Sequence, residues 1–288
     1  MMELSQIERF FLVLPTLSSR HAPDDPLHLI LKQAASEAFR TAFSSEQEVA
    51  VSLRPFGDLV FPYFKMGKVD SVNLFDLDEL ILFSYYWLNK DRYSRAVDIG
   101  ANLGLHTILL AKCGMQVRCY EPDPFHAHEL ELRLALTRAR NVDLTRAAVS
   151  SEDGELEFVR VMGNTTSGHL SGAKPNPYGE LERFPVEVAS VVPLVRWADF
   201  MKIDAEGHEA TILCATDPAD WKATDAVVEV GSADNADQIF HHFKGTGVHL
   251  FGQNQNWHEI KSREQMPESY KHGSLFISSN SEMFWDSP

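Results

Sequence analysis

From Ala96 onward the sequence alternates short apolar runs with longer segments of helical periodicity, and no other feature limits the fold so strongly. Such runs read as strands buried on both faces, and parallel strands need crossovers long enough to be helices. The spacing predicts strands at 95–99, 116–120, 143–148, 200–204, 226–230, 248–251 and 273–277. Helices are expected at about 104–113, 124–140, 206–215 and 235–244. The expected class is α/β, a seven-stranded, mostly parallel, Rossmann-like sheet.

An insertion at about 154–192 interrupts the alternation. "GELEFVRVM" and "FPVEVASVVPL" read as paired antiparallel strands around the polar segment "GNTTSGHLSGAKPNPYGELER", and a polar loop of that length is either functional or disordered. Residues 1–90 differ again: a helix near 27–43, a strand-like "EVAVSLRPFGDLVFPYF", and the apolar amphipathic helix "FDLDELILFSYYWLN". That region reads as a cap or homo-oligomer surface ahead of a catalytic domain over 91–288. A chain of 288 residues is long enough for both.

A formal net charge of -15, without a block of Lys or Arg, argues against nucleic acid as a partner. Cys113, Cys119 and Cys214 lack C-x-x-C spacing and fall in segments read as buried, as reduced core cysteines would. The N-terminal "MMELSQIERFFLVLPTLSS" has no basic region, and its unbroken apolar run, 10–14, is too short to be a signal or to insert in a membrane. The expected location is the cytoplasm.

The stretch "AVDIGANLGLHTILLAKCGMQVRCYEPDP" carries the chemistry. A glycine turn between a buried strand and a helix start lets a ligand approach the main chain. Dinucleotide sites use G-x-G-x-x-G to hold pyrophosphate. Here Gly100, Asn102 and Gly104 form G-x-N-x-G behind Asp98, whose acid would repel pyrophosphate but suits an amino group and a positive sulfur. Glu121 ends the second strand, where a carboxylate can accept both ribose hydroxyls. A nucleoside with a cationic tail fits, and S-adenosylmethionine is one. The structural alternative makes Asp98 a helix cap and Glu121 a solvated acid.

"VDIGANLG", "YEPDP", "AAVSSEDGELEF", "VPL" and "DFMKIDAEGHEATIL" followed by "VVEV" resemble, in order and spacing, the FkbM family of S-adenosylmethionine-dependent methyltransferases over roughly 90–232. The resemblance implies a class I methyltransferase fold with strand order 3-2-1-4-5-7-6, the last strand antiparallel, and O-methylation of a sugar or polyketide hydroxyl. It implies that Asp98, Gly100, Asn102 and Gly104 hold the methionine part, Glu121 the ribose and the backbone near Ala148 the adenine, with Pro122 among the cofactor contacts.

Ligands of open parallel sheets bind at the strands' carboxyl ends near the topological switch point, here between the first and fourth strands. Asp204 ends the fourth strand, and Lys202 precedes it on the same side, needing a carboxylate partner in Asp98, Asp204 or Glu229. Methyl transfer to oxygen requires alignment and removal of the hydroxyl proton. A carboxylate pressed on the sulfonium favours the ground state, so the base belongs beside the acceptor.

Asp204, Glu229 and His208 are the candidate bases, with Lys202 beside them. Glu229 interrupts the apolar "AVVEV", either facing the crevice or paired with Lys202. Glu206 and Glu209 read as first-turn acids complementing a helix dipole, and His208 as a base or an exposed helix residue. Asp204 with Glu229 could also bind a divalent metal, although the spacing identifies none. His126, His128, His241 and His242 read as surface histidines away from the crevice. "PNPY" at 175–178 resembles the N-P-P-Y of base-methylating enzymes but lies in the polar loop, not after the fourth strand.

The leading expectation is an O-methyltransferase acting on a small-molecule or carbohydrate hydroxyl: a sugar, glycan or glycosylated compound. The competing ones are a nicotinamide-dependent oxidoreductase and a non-catalytic cofactor-binding module. The acceptor itself is not encoded in a transferable motif. Loop 163–183, the cap and the segment 252–273 are the candidate specificity elements, with Tyr178, His169 and Trp257 as residues that could contact a sugar or be incidental.

Overall fold

Eight strands hydrogen-bond into one central sheet, one more than the sequence predicts. The computed structural model describes residues 5–43, 50–61, 63–66, 69–162, 167–174 and 179–285. The N-terminal region contains α1 (Gln6–Val13), α2 (Pro26–Ala42), the hairpin β1 (Ala50–Ser52) and β2 (Asp58–Val60), the short pair β3 (Lys65–Met66) and β4 (Val69–Asp70), and α3 (Leu77–Leu88). Then follow β5 (Arg95–Ile99), α4 (Leu105–Lys112), β6 (Gln116–Tyr120), α5 (Pro124–Thr137), β7 (Val142–Thr145) and β8 (Ala148–Ser150). The insertion is β9 (Gly154–Val161), β10 (His169–Leu170) and β11 (Leu181–Ser190), leading into α6 (Val191–Trp197). The chain returns through β12 (Phe200–Ile203), α7 (Glu209–Cys214), β13 (Asp225–Val228), α8 (Ala233–Phe243), β14 (His249–Gly252), β15 (His258–Glu259) and β16 (Leu275–Ser278).

The sheet order is β15-β14-β16-β13-β12-β5-β6-β7, parallel from β7 to β13, with β16 antiparallel to both β13 and β14. Without the two-residue edge strand β15, this is the class I order 3-2-1-4-5-7-6 with its antiparallel last strand. The chain winds outward from β5 through β6 to β7, then crosses back to β12. The β5/β12 pair is therefore the switch point, and a crevice opens beyond its carboxyl ends.

Alternation along the strands divides the core in two. Val97, Ile99, Met201, Ile203 and Val228 face a cluster with α6, α7 and α8. Ala96, Phe200, Val227 and Phe276 face the other cluster, which α3 covers. Leu80, Ile81, Phe83, Tyr85 and Tyr86 of that helix are all buried, with Tyr85 5.4 Å from Phe276 and Tyr86 5.4 Å from Phe200 between ring centroids. The helix is thus a core element packed on the sheet, and α2 packs on it in turn, with Phe39 stacked 4.8 Å from Phe75 in the turn just before α3.

Several boundaries move for local reasons. The expected strand 143–148 breaks at 146–147 into β7 and β8, and β8 pairs with β11 in the separate sheet β10-β9-β11-β8. "FPVEVASVVPL" is extended only to Ser190. Pro193 then falls in the first turn of α6, where its missing N–H costs nothing. The helix expected from 206 starts at Glu209 because Glu206 and Gly207 take φ of +52° and +103°. Cys113 and Cys119 are buried but Cys214 is exposed, and all three are free. Trp257 is a core residue: its indole donates to Nδ1 of His21 (2.9 Å) and it packs on Trp285. Tyr178 and the rest of "PNPY" lie outside the described residues. Among those described, no helix is long and apolar enough to cross a membrane.

Candidate active site

The turn after β5 and the end of β12 meet at van der Waals distance. Gly100 has φ +74°, and a Cβ built there would sit 1.9 Å from the Asp204 carbonyl oxygen, so only glycine lets the two strand tips close. Asn102 takes φ +50° in the same turn. Gly104, left-handed at the N-cap of α4, has another function: its missing Cβ would lie 2.7 Å from Leu130, so it permits α4 to pack on α5.

A first cavity lies over this turn. Gly100, Asn102, Tyr120, Glu121, Pro122, His126, Ala147, Ala148 and Val149 line it on the sheet side, with Asp204 to Glu206 and His208 across. Glu121 is buried. Its carboxylate accepts from the N–H of Asn102 (2.8 Å) and of Asp123 (2.9 Å), and burial pushes its pKa up to about 8. Asn102 Oδ1 is a buried acceptor without a hydrogen-bond partner among the described residues. Asp98 does not line the cavity. It is fully buried behind the turn, accepting from the Thr107 hydroxyl (2.5 Å), with its other oxygen 3.8 Å from Lys202 Nζ and without a hydrogen bond among the described residues.

The insertion supplies a wall of this cavity: Phe158, Leu170 and His169, the last read from the sequence as a residue that could contact a sugar, together with Asn73 and Leu74 from the N-terminal region, which the sequence did not single out. His169 is buried, its Nδ1 2.9 Å from the Ser167 carbonyl. Arg160 on β9 anchors this wall, gripping Asp123 through Nε (2.7 Å) and Nη2 (2.5 Å). Burial opposes the Asp123 charge, but these bonds outweigh it and hold the carboxyl below its usual range.

Two histidine readings change. His126 is not a surface residue: it is buried, with Nδ1 4.0 Å from Glu121 Oε1, and burial lowers its pKa. The signal was its spacing from Leu130 and Arg133, which puts all three on the buried face of α5. His128 and His241 are exposed, whereas His242 is half-buried against the Thr216 carbonyl. His208 lies on the first cavity with Nε2 2.8 Å from Ser150 Oγ, and burial lowers its pKa.

A second cavity opens on the α3 side, and Asp204 lines both. The face-to-face register explains the polar groups there: Lys202 pairs with Asp98 on β5 and Val227 on β13, so Asp204 and Glu229, two residues beyond Lys202 and Val227, point the same way. Lys202 Nζ donates to Asp204 Oδ2 (3.3 Å) and the Gly100 carbonyl (3.2 Å). Burial opposes its charge, but Asp204 and Asp98 outweigh it and hold its pKa above the ordinary lysine range.

Glu229 lies just past β13 and makes no hydrogen bond or ion pair with Lys202. The nearby Asp204 charge, and then burial, push its pKa well above the carboxylate range. Glu209 is structural, accepting from the N–H of Ala205 (3.0 Å) and Gly207 (2.9 Å) and from Asn235 Nδ2 (2.7 Å). Glu206 is not in a helical turn but lines the first cavity, paired with Lys174. No three His, Cys, Asp or Glu side chains among the described residues are grouped to hold a metal ion.

The first cavity suits an adenosyl ligand: main chain bared at Gly100, a carboxylate at Glu121 for a diol, and an apolar slot between Ala148, Val149, Phe158 and Leu170 for a flat base. The sequence matches the model of the methyltransferase FkbM domain over residues 98–253. No protein of curated function matches it significantly. Among solved structures, it is similar to precorrin-6y C5,15-methyltransferase from Geobacter metallireducens GS-15, at 15% identity and TM-score 0.37, over 66% of this chain and 82% of that one. Cofactor-bound Rv0187 from MTB aligns at 14% identity and TM-score 0.37, over 90% and 92%. The O-methyltransferase from Bacillus cereus in complex with SAH aligns at 10% identity and TM-score 0.35, over 68% and 78%.

Proposed function

The chain belongs to the FkbM family of methyltransferases, with S-adenosylmethionine as its cofactor, and from that premise we propose that it methylates a hydroxyl of a sugar, glycan or glycosylated small molecule bound in the second cavity. One observation carries this reading: Asp204 lines both cavities, so a group held in the second meets the first at a carboxylate. When bound, the cofactor supplies an electrophilic methyl group on a sulfonium.

The chain's own residues do the rest. Gly100 and Asn102 present main chain to the cofactor tail, Glu121 and Pro122 its ribose side, and Ala148 the edge of the base slot. Asp204 orients the acceptor hydroxyl and takes its proton as the oxygen becomes nucleophilic. Lys202, fixed by Asp98 and the Gly100 carbonyl, holds Asp204 in position. Glu229, which keeps its proton more readily than an ordinary carboxyl, can donate to an acceptor oxygen. His208, bonded to Ser150 on the cofactor side, has no part in the proton transfer. Residues 1–90 act as a cap walling the acceptor cavity, to which Pro23, Leu29 and Lys32 contribute.

Calorimetric titration should show S-adenosylhomocysteine binding. Asp204→Asn should keep that affinity within about twofold while lowering kcat by about a hundredfold or more. Stabilisation by NAD instead of S-adenosylhomocysteine would overturn the assignment, and full activity in Asp204→Asn would remove the base.

A further inference from the structure

The α3–α4 wall of the second cavity holds a carboxylate with no task in the scheme above. Glu79, in the first turn of α3, has Oε2 2.9 Å from Nε2 of His106 on α4. The Nδ1 of the same ring lies 2.9 Å from the hydroxyl of Tyr86, seven residues along α3 from Glu79 and on the same helical face. With its proton on Nε2, His106 turns a donor toward Glu79 and accepts from Tyr86, so a buried tyrosine fixes the ring that faces the acid. Phe83 packs edge-on against that ring at 5.1 Å. Glu79 Oε2 is buried and receives no well-aligned hydrogen bond among the described residues. Oε1 has no partner there either and remains accessible, on the wall that Glu79 and His106 share with Lys202, Asp204 and Glu229.

We propose that Glu79 is a specificity-determining residue, accepting a hydrogen bond from a second hydroxyl of the acceptor while the reacting hydroxyl is presented at Asp204. The inference rests on the second cavity being the acceptor site. A carboxylate oriented from behind and short of donors is costly to cover with an apolar surface, so an acceptor with a single hydroxyl leaves it unpaired and is rejected. Glu79 lies outside the matched residues 98–253, so this selection belongs to the N-terminal segment. His106 and Tyr86 are positioning residues for it.

The test compares methyl hexopyranosides and inositol with cyclohexanol as methyl acceptors, in wild type, Glu79→Leu, Glu79→Gln and Tyr86→Phe, with S-adenosylhomocysteine affinity measured on each. Equal affinities show that the variants fold and that the cofactor site is intact. The expected result is polyol turnover with kcat/KM about a hundredfold above cyclohexanol. Glu79→Leu should raise the polyol KM about tenfold or more at nearly constant kcat and narrow the gap to cyclohexanol, with partial rescue in Glu79→Gln. Should Glu79→Leu lose S-adenosylhomocysteine binding through misfolding, a severalfold KM rise in Tyr86→Phe stands in its place, and an unchanged KM there overturns the proposal. A wild-type KM in Glu79→Leu, equal use of cyclohexanol, or no polyol turnover by a protein that binds S-adenosylhomocysteine each overturns it. Failure of the wild type to bind S-adenosylhomocysteine sinks the methyltransferase reading itself.

Discussion

At the residue scale the site is held by two positions whose chemistry is narrow. Gly100 combines a left-handed φ with contact against the Asp204 carbonyl, so Gly100→Ala must both strain the backbone and push β5 from β12. Denaturant unfolding should show a loss of at least about 2 kcal/mol, with S-adenosylhomocysteine binding weakened in parallel. Glu121 carries the second constraint. Burial raises its pKa from 4.5 to about 8 in the folded protein, so between those values the folded state binds more protons than the unfolded one. Stability must then fall as pH rises through that window, by about 1 kcal/mol per pH unit near neutrality. Thermal melts of the ligand-free protein at pH 6 and 8.5 should show that loss in the wild type and a smaller one in Glu121→Gln. An unchanged slope in the variant would mean that another group is responsible. Both residues were legible from type and spacing. His126 was less so, because its role depends on which face of α5 turns inward, and Glu79 and His106 were not, because their contact joins two helices, α3 and α4, that strand β5 separates in the chain.

At the element scale, the parallel strands and their crossovers were readable because both faces of the sheet are buried and polar residues end each run. The misread elements are those where backbone sign or tertiary pairing overrides pattern: the positive φ of Glu206 and Gly207 delays α7, and the valines of α6 look like strand until Pro193 is placed in a first turn. The insertion was visible as antiparallel strands, but its place over the first cavity depends on Arg160 reaching Asp123 across elements. Arg160→Met leaves the buried Asp123 carboxylate without its cation, beside Glu121. The expected cost is about 3 kcal/mol of stability, and the displaced wall of Phe158, His169 and Leu170 should weaken S-adenosylhomocysteine binding severalfold. Arg160→Lys should recover little, since an ammonium cannot reproduce the two-pronged grip. A melt and a titration on each variant decide it.

At the scale of the whole molecule, the two cavities sit on opposite sides of one strand junction, and each is closed by a part of the chain added to the sheet: the insertion over the first, α2 and α3 over the second. The sheet could be inferred from sequence because its order follows from short-range periodicity, whereas the closing pieces are fixed by packing among residues far apart, as when Tyr85 and Tyr86 settle on Phe200 and Phe276. Since the first cavity is built by the switch-point strands together with β8 and the insertion, a ligand there should stabilise the fold as one unit. At a hundredfold excess over its dissociation constant, a ligand bound only by the folded state adds about 2.7 kcal/mol. For a chain of 288 residues that is a rise in Tm of roughly 4–5 °C. S-adenosylhomocysteine should produce a single shifted transition. A first transition that stayed in place while a second moved would mean that the part over 1–90 melts independently of the sheet, and that α3, despite its buried aromatic face, does not transmit binding in the first cavity to the wall of the second.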